Sequence, residues 1–487
     1  MTDGPVTDGP EPATTGGAPG QAPPAGLTWR RMHPVTPAVK GWKVLVVLLV
    51  IAVQQTGDNV QQAGELFGGR AWLIALGIIV GGGLVGFGYA AIAWRMTRFA
   101  LDDEAVYLSS GVLFRQQRKA RLDRLQAVDV VQPVLARILG LAELKLEVAG
   151  GSGSGVSLAF LKEDDAAVLR AELLARAAGV RRVEGAQAPP TRPEQSVLEV
   201  PPARLFAGMA RSAAPIALVL GLAFVVAAIA VTEELSTVFF MIPGILGFVG
   251  FYWGRFSREF NFRAGVSPDG IGLRHGLLEA RSQTVPPGRV QALRLTQGPF
   301  WRRPGWWRVE MNVAGYSSGA EGQATENVLL PVGDRDQALV AIWLVLPDLG
   351  VPDPRALLAA AMDGRGDDEG FTTMPRRARW LDPLAWHRTG FVVTDRALLI
   401  RSGWLIRRLV LVPHERTQSL SVEQGPLQRR LGVASLVVHS TPGPVSPRVP
   451  HLGADVAGAL MTEQAARART ARAGAGPELW MLPAGES

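Results

Sequence analysis

The chain of 487 residues contains no cysteine. Disulfide staples, thiolate metal sites and cysteine nucleophiles are excluded. Histidine is scarce as well. The six present, at 33, 275, 387, 414, 439 and 451, show no metal-ligand spacing. There is no phosphate-cradling P-loop and no paired-carboxylate constellation. No catalytic residue, metal ligand or cofactor is therefore expected, and an enzyme is not expected. Charge is low, at 19% of residues against 47% hydrophobic, and mean hydropathy is +0.16. The net charge of +7 suits an anionic membrane surface or nucleic acid. The apolar runs favour the membrane. A DNA-binding role is not expected, because the basic residues are spread over the flanks of those runs.

Residues 1–28 are rich in Pro, Gly, Thr and Ala without apolar periodicity. Such a segment cannot bury enough surface to offset its ordering entropy, so disorder is expected. Four apolar segments follow. Ala71–Trp94 is 24 residues without a charge, Ala213–Val231 is 19 and Thr237–Gly254 is 18. A bilayer-spanning helix needs about 20. Val44–Val53 is a run of only ten. It reaches spanning length if Lys40 and Lys43 extend outward and Gln54 and Gln55 sit at the far interface. The expected fold class is a membrane α + β protein, with four transmembrane helices in two hairpins. The tips carry Asp58, Glu65 and Arg70 in the first and Glu233 and Glu234 in the second, whereas the outer flanks carry Arg30, Arg31, Lys40, Lys43, Arg95, Arg98, Arg204, Arg211, Arg255, Arg258 and Arg263. The positive-inside rule then places both termini, and the polar segments 95–210 and 256–487, in the cytosol beneath a cell membrane. Gly81, Gly83 and Gly86 spell a dinucleotide fingerprint, but inside an apolar run with no strand before it.

The polar segments contain a threefold repeat. Stretches 111–140, 276–305 and 403–432 align without a gap. Gly111, Gly276 and Gly403 open them, and Gly140, Gly305 and Gly432 close them. Between these stand Arg124, Arg289 and Arg416, then Gln126, Gln291 and Gln418. Next come Gln132, Gln297 and Gln424, and finally Arg137, Arg302 and Arg429. An alternating run ending in a turn precedes each opening glycine. After the first motif arginine the sequence alternates again. Val128 and Val130, Leu293 and Leu295, and Leu420 and Val422 share one face with the two glutamines, while Ala127 and Asp129, Ala292 and Arg294, and Ser419 and Ser421 form a mixed opposite face. A short helical turn, a further strand and a helix complete each copy. The closing helices are expected over Asp164–Ala177, Asp334–Leu346 and Ala454–Ala468. Three cytosolic β-barrel modules result, each capped by a helix. Residues 350–378, rich in Pro, Gly and Asp, read as a tether on which the third module swings.

The third copy, VPHERTQSLSVEQGPLQRRLGVASLVV, resembles the core motif of the bacterial pleckstrin-homology-like domain. The order hairpin, module, hairpin, module, module resembles YdbT-type membrane proteins. That resemblance covers most of 29–470. It implies a bent seven-stranded barrel with a C-terminal helix, no assigned reaction, and pairing with a smaller PH-like membrane partner. Copy one departs from the motif with Gln-Pro-Val for Gln-Gly-Pro.

The Arg-x-Gln pairs read chiefly as structural, because part-buried glutamines need partners. A membrane or partner surface is expected at Arg115, Arg118 and Lys119 in copy one. In copy two it is expected at Trp301, Arg302, Arg303, Trp306 and Trp307, and in copy three at Arg407 and Arg408. Such Trp and Arg clusters suit anionic lipid. The G-x-S-x-G pattern around Ser317 falls in a Gly/Ser-rich loop and does not mark a hydrolase. The function expected is a non-catalytic membrane-anchored scaffold, its modules binding partner proteins, one another or the inner leaflet, with envelope maintenance or stress protection as its setting. The alternative is a transporter or lipid-handling protein. The absence of ionisable residues from the spans, apart from Lys43 at an edge, weighs against it.

Overall fold

The structure is a computed structural model and describes residues 29–31, 71–102, 104–111, 116–122, 125–148, 156–177, 195–232, 236–267, 270–285, 287–314 and 327–474. Each copy is built as four strands, three strands and a helix. Copy one has β1 (Arg30–Arg31), β2 (Arg98–Leu101), β3 (Ala105–Ser110) and β4 (Gln116–Arg121), then β5 (Leu125–Pro133), β6 (Leu141–Val148) and β7 (Val156–Lys162), closed by helix Glu163–Ala177. Copy two has β8 (Gln195–Val200), β9 (Phe262–Ser267), β10 (Gly270–His275) and β11 (Glu279–Val285), then β12 (Val290–Gln297), β13 (Trp307–Val313) and β14 (Val328–Gly333), closed by Arg335–Val345. Copy three has β15 (Thr372–Thr373), β16 (Gly390–Val393), β17 (Ala397–Ser402) and β18 (Arg407–Pro413), then β19 (Ser419–Glu423), β20 (Val433–His439) and β21 (Arg448–Gly453), closed by Ala454–Gly474.

The apolar segments require a correction. Among the described residues one helix, Ala213–Val231, is long and apolar enough to cross a membrane. The expectation of four transmembrane helices in two hairpins therefore fails, and the fold is a set of repeated β-rich modules. Helix Ser236–Glu259 runs on into the second module. Tyr252 and Phe256 pack against that core, and Ser257 and Glu259 are buried, so its last turns are module rather than lipid-facing surface. Helix Ala71–Met96 likewise ends with Trp94 packed on the first core. Val44–Val53 lies outside the described residues. The helical segments also do not precede their modules. They are inserted between the first and second strands: residues 201–261 leave β8 and re-enter at β9, whose ends pair as Val200 with Phe262.

The modules share sheets. β5 pairs antiparallel with β11, which makes one seven-stranded sheet, β7-β6-β5-β11-β10-β9-β8. β12 pairs with β18 and makes a second, β14-β13-β12-β18-β17-β16-β15. The register is the same at both junctions. Gln132 faces Ala280 and Gln297 faces Arg407, so the second motif glutamine meets the residue four places after the next copy's opening glycine. Successive side chains on a strand point to opposite faces, and here the two faces belong to two cores. On β18, Leu409 and Leu411 enter the second core, whereas Val410 and Val412 enter the third. Ala127 of copy one lies in the second core and Ala292 of copy two in the third. The mixed face of the repeat strand is thus its contact with the next module.

Copy three does not swing. Residues 350–378 contain helix Pro354–Asp363, whose Leu357, Leu358, Ala361 and Met362 are buried in the second core. Its C-terminal carbonyls are held by two arginines. Arg388 donates to Ala361, Met362 and Gly364, and Arg401 donates to Ala360, Gly366 and the Arg388 carbonyl. Cations at a helix C-terminus complement its exposed carbonyls. Burial, then the neighbouring Arg407 and Arg401, push the Arg388 guanidinium down to about 10. Asn312 adds a second tie. It is fully buried, donates to Val445 O at 2.7 Å and accepts from Val445 N at 2.9 Å.

The six motif glycines all have positive φ, from +60° at Gly432 to +115° at Gly276. A Cβ at Gly276 or Gly403 would run into a carbonyl oxygen, of Glu279 or Ile406. At Gly432 only the left-handed φ matters. Gly432→Asn should therefore melt within about 1 kcal/mol of the parent chain, because Asn tolerates that region. Gly403→Ala should lose clearly more by thermal or denaturant unfolding. Equal losses would mean that the hairpin turn is not under the steric limit described.

Candidate functional site

Repeat residues of copies one and two lie at the two module junctions, those of copy three after β18 lie away from them, and the repeat does two different jobs. The second motif glutamine closes its own copy. Gln297 Nε2 donates to Trp306 O at 3.3 Å and Gln424 Nε2 to Val433 O at 3.1 Å. The accepting residues stand at the same repeat position. Gln291 Nε2 donates to Arg289 O at 3.3 Å. Gln418 is exposed, with its backbone N–H bonded to His439 O. Arg416 lies beside Glu415 at 3.4 Å. Arg124 and the side chain of Gln126 lie outside the description, as do Arg115 and Ser317.

In copy two the last motif arginine reaches into the next copy. Arg302 Nη2 donates to the carbonyls of Trp404 and Leu405, in the turn just after Gly403. The matching carbonyl at the first junction, Leu278 O, accepts from Val134 N at 2.9 Å. Arg407 links both sides of the second junction, at 3.2 Å from Gln297 Oε1 and 2.6 Å from Asp363. Arg408 is exposed. Trp301 and Trp307 are core residues, 6% and 2% exposed, and Trp301 Nε1 donates to Gly208 O at 2.9 Å. They leave the expected surface. Trp306 is half-buried beneath Arg211, 5.3 Å from its ring, and Arg303 is exposed. Arg118 and Lys119 are exposed on β4, with Lys119 over the Tyr107 ring.

The two junctions differ on the sheet face turned toward the earlier copy. At the second, Ala397, Leu399, Leu409 and Leu411 lie in a core shared with helix Pro354–Asp363. The same repeat positions at the first junction hold Gly270, Gly272, Ser282 and Thr284. A cleft of about 720 Å³ opens there. Arg137, Arg170, Arg263, Arg274 and Arg281 line it, with Glu163 as its single acid. Arg274 stands where Arg401 stands at the second junction, two residues before the opening glycine. Arg401 is buried on helix carbonyls, whereas Arg274 is exposed at the cleft. Such a pocket suits an anionic group. Sequence reading missed it, because its arginines come from the short helix Val134–Ile138 and the closing helix of one copy and from three strands of the next. The signal was the polar replacement of an apolar set between two otherwise aligned copies.

Beneath the inserted helices runs a chain of ion pairs. Glu259, 2% exposed, lies 2.8 Å from Arg308 and 3.3 Å from Arg255. Arg308 reaches Glu310 at 3.1 Å, and Glu310 reaches Arg294 at 2.6 Å. Burial alone would raise the Glu259 carboxyl, but Arg308 and Arg255 outweigh it and hold it below the usual range. Burial opposes Arg308 and Arg294 in the same way at Glu310, which is also lowered. His275 is buried, with Nδ1 2.8 Å from Arg258 O. Burial pushes its pKa down despite that bond.

A string of four-plus-three-stranded barrels, each plugged by a helix, is the architecture of PH-like interaction modules. A family model for the bacterial PH domain matches residues 45–177, 215–342 and 341–468, and the chain belongs to that family. No curated protein and no solved structure matches it. Modules of this kind generally bind partners rather than catalyse reactions.

These groups make the second module acid-sensitive in two steps. His275 is held neutral, so its contribution is complete above the ordinary histidine value of about 6.5 and fades as pH falls below it. The lowered Glu259 and Glu310 contribute fully above about 4.3, and that contribution is lost as pH falls through their folded values. Glu259→Gln should cost about 3 kcal/mol at neutral pH, because two buried arginines lose their shared acid. It should also flatten the lower step. Unfolding midpoints followed from pH 8 to pH 3 check both, and an unaltered acid limb in Glu259→Gln would refute the assignment.

Proposed function

We propose that the chain is a non-catalytic scaffold that holds three PH-like modules as one continuous array on the cytosolic side of a cell membrane. The observation that carries this reading is the inserted segment 201–261. It leaves at Val200 and returns at Phe262, which are paired neighbours on adjacent strands. Copies one and two share a sheet, so whatever the segment enters, it comes back on the side it left. Helix Ala213–Val231 presents Val219, Leu220, Phe224 and Val226 outward, an apolar surface far larger than a soluble face tolerates. Arg204 and Arg211 before it, and Arg255, Arg258 and Arg263 after it, support the cytosolic side. The ion-pair chain on Glu259 then fixes the returning helix to the array. The basic cleft of the first junction suits a phosphate-bearing lipid headgroup. The smaller PH-like membrane partner implied by the resemblance would bind the array rather than a single free module.

Alkaline extraction of membranes from expressing cells tests this. The parent chain should stay in the pellet, and protease added from the cytosolic face should digest all three modules. Val219→Asp with Phe224→Asp should move the chain to the supernatant with its melting profile kept. A parent chain that extracts with alkali would overturn membrane attachment.

A further inference from the structure

The two internal junctions leave two strands over. Each junction joins the β5-type edge of one copy to the β11-type edge of the next. The first copy's counterpart of β11 and β18 is β4, which among the described residues pairs only with β3. The third copy's counterpart of β5 and β12 is β19, which among them pairs only with β20. Both are exposed. Gln116, Gln117, Arg118 and Lys119 face solvent on β4, as do Ser419, Val422 and Glu423 on β19. The same positions on β12 and β18 are mostly buried.

We propose that β19 of one chain pairs antiparallel with β4 of a second copy and extends the array by the junction already used twice within it. The partner is a second copy because the two free edges are the two halves of one repeated joint. Carrying the internal register across gives Ser421 opposite Arg118, Leu420 opposite Lys119 and Glu423 opposite Gln116. The repeat position that sends Ala127 and Ala292 into the following core is Ser419 in copy three, again a small side chain. It falls opposite Ala120, which is buried in the first core. Charge agrees as well. β4 carries Arg118, Lys119 and Arg121 and no acid, and β19 carries no base and one acid, Glu423, which lies 2.9 Å from Arg448 at an exposed site and can be shared across the joint. Edge strands that only guard against pairing carry like charge, lysine above all, and long-range repulsion. These two edges attract. The contact is head-to-tail, so copies form a ring or an open row according to the rotation at each step. The inference does not depend on membrane attachment, and its failure leaves the extraction result untouched.

The absence of cysteine makes the test clean. Full-length Arg118→Cys and Ser421→Cys chains with different affinity tags are co-expressed, and their membranes are treated with a thiol oxidant or a short bis-thiol reagent. The expected result is a crosslinked species carrying both tags. The pair Arg118→Cys with Leu420→Cys, one residue out of register, should yield about tenfold less, because a one-residue slip turns the side chain to the other face. Glu423→Arg on the Ser421→Cys chain should lower the yield, and Gln116→Glu with Arg118→Cys on the other should restore it, because Gln116 is the residue opposite Glu423. Both edges are exposed, so these variants keep the parent melting profile. Crosslinking confined to a single chain carrying both cysteines, capture of a different polypeptide by either cysteine, or equal yields for the two registers would overturn the proposal.

Discussion

Backbone pairing between β5 and β11, and again between β12 and β18, is the constraint on which the rest of this molecule depends. A PH-like barrel closes incompletely, so each copy has an open edge on each of its two sheets. An unpaired edge is a row of unsatisfied donors and acceptors. Tandem copies in one chain satisfy these rows with each other. Once the pairing is made, every second residue of the joined strands must serve a different core, which explains why β18 is buried on both faces. It also explains why no copy can be lifted out alone. Removing copy three would strip Leu409 and Leu411 out of the second core and unroof helix Pro354–Asp363.

Much of a single copy was legible in the sequence. The six glycines of the repeat mark turns that need positive φ, and all six have it. The alternation after the motif arginine marks a strand, and the closing helices fall where expected. The glutamine spacing foretold part-buried amides; Gln297 is buried and Gln424 is exposed, and both donate to backbone carbonyls. What joins the copies was much harder to read. A mixed face such as Ala127 with Asp129 looks like a solvated face, because periodicity reports burial and not which core does the burying. Arg302 looked like a surface cation, yet it ends on carbonyls of the following copy.

The helical segments were misread for a related reason. Hydropathy windows register apolar length, and Ser236–Glu259 supplies it. They do not register that the same helix continues without a break into a module. Tyr252 was read as part of the span, and Phe256 and Glu259 fall in the stretch that was read as its basic flank. They are instead the attachment, because Glu259 is held by Arg308 from β13. The insertion between first and second strands was invisible because β8 is only six residues in a Pro-rich stretch, and β1 is two.

The difference between the two junctions is the last consequence of the repeat. Where the second junction has Leu399, Leu409 and Leu411, the first has Gly272, Ser282 and Thr284. An apolar face must be covered, and the chain covers it with helix Pro354–Asp363, capped by Arg388 and Arg401. A polar face has no such requirement. Arg274 is exposed at the cleft, while its counterpart Arg401 is buried on helix carbonyls and the Phe371 ring. One joint is thereby sealed and rigid, and the other is left open and basic. The array has one apolar, covered junction and one open, basic junction without any change in backbone register. Four side-chain substitutions on one sheet face are enough to make that division.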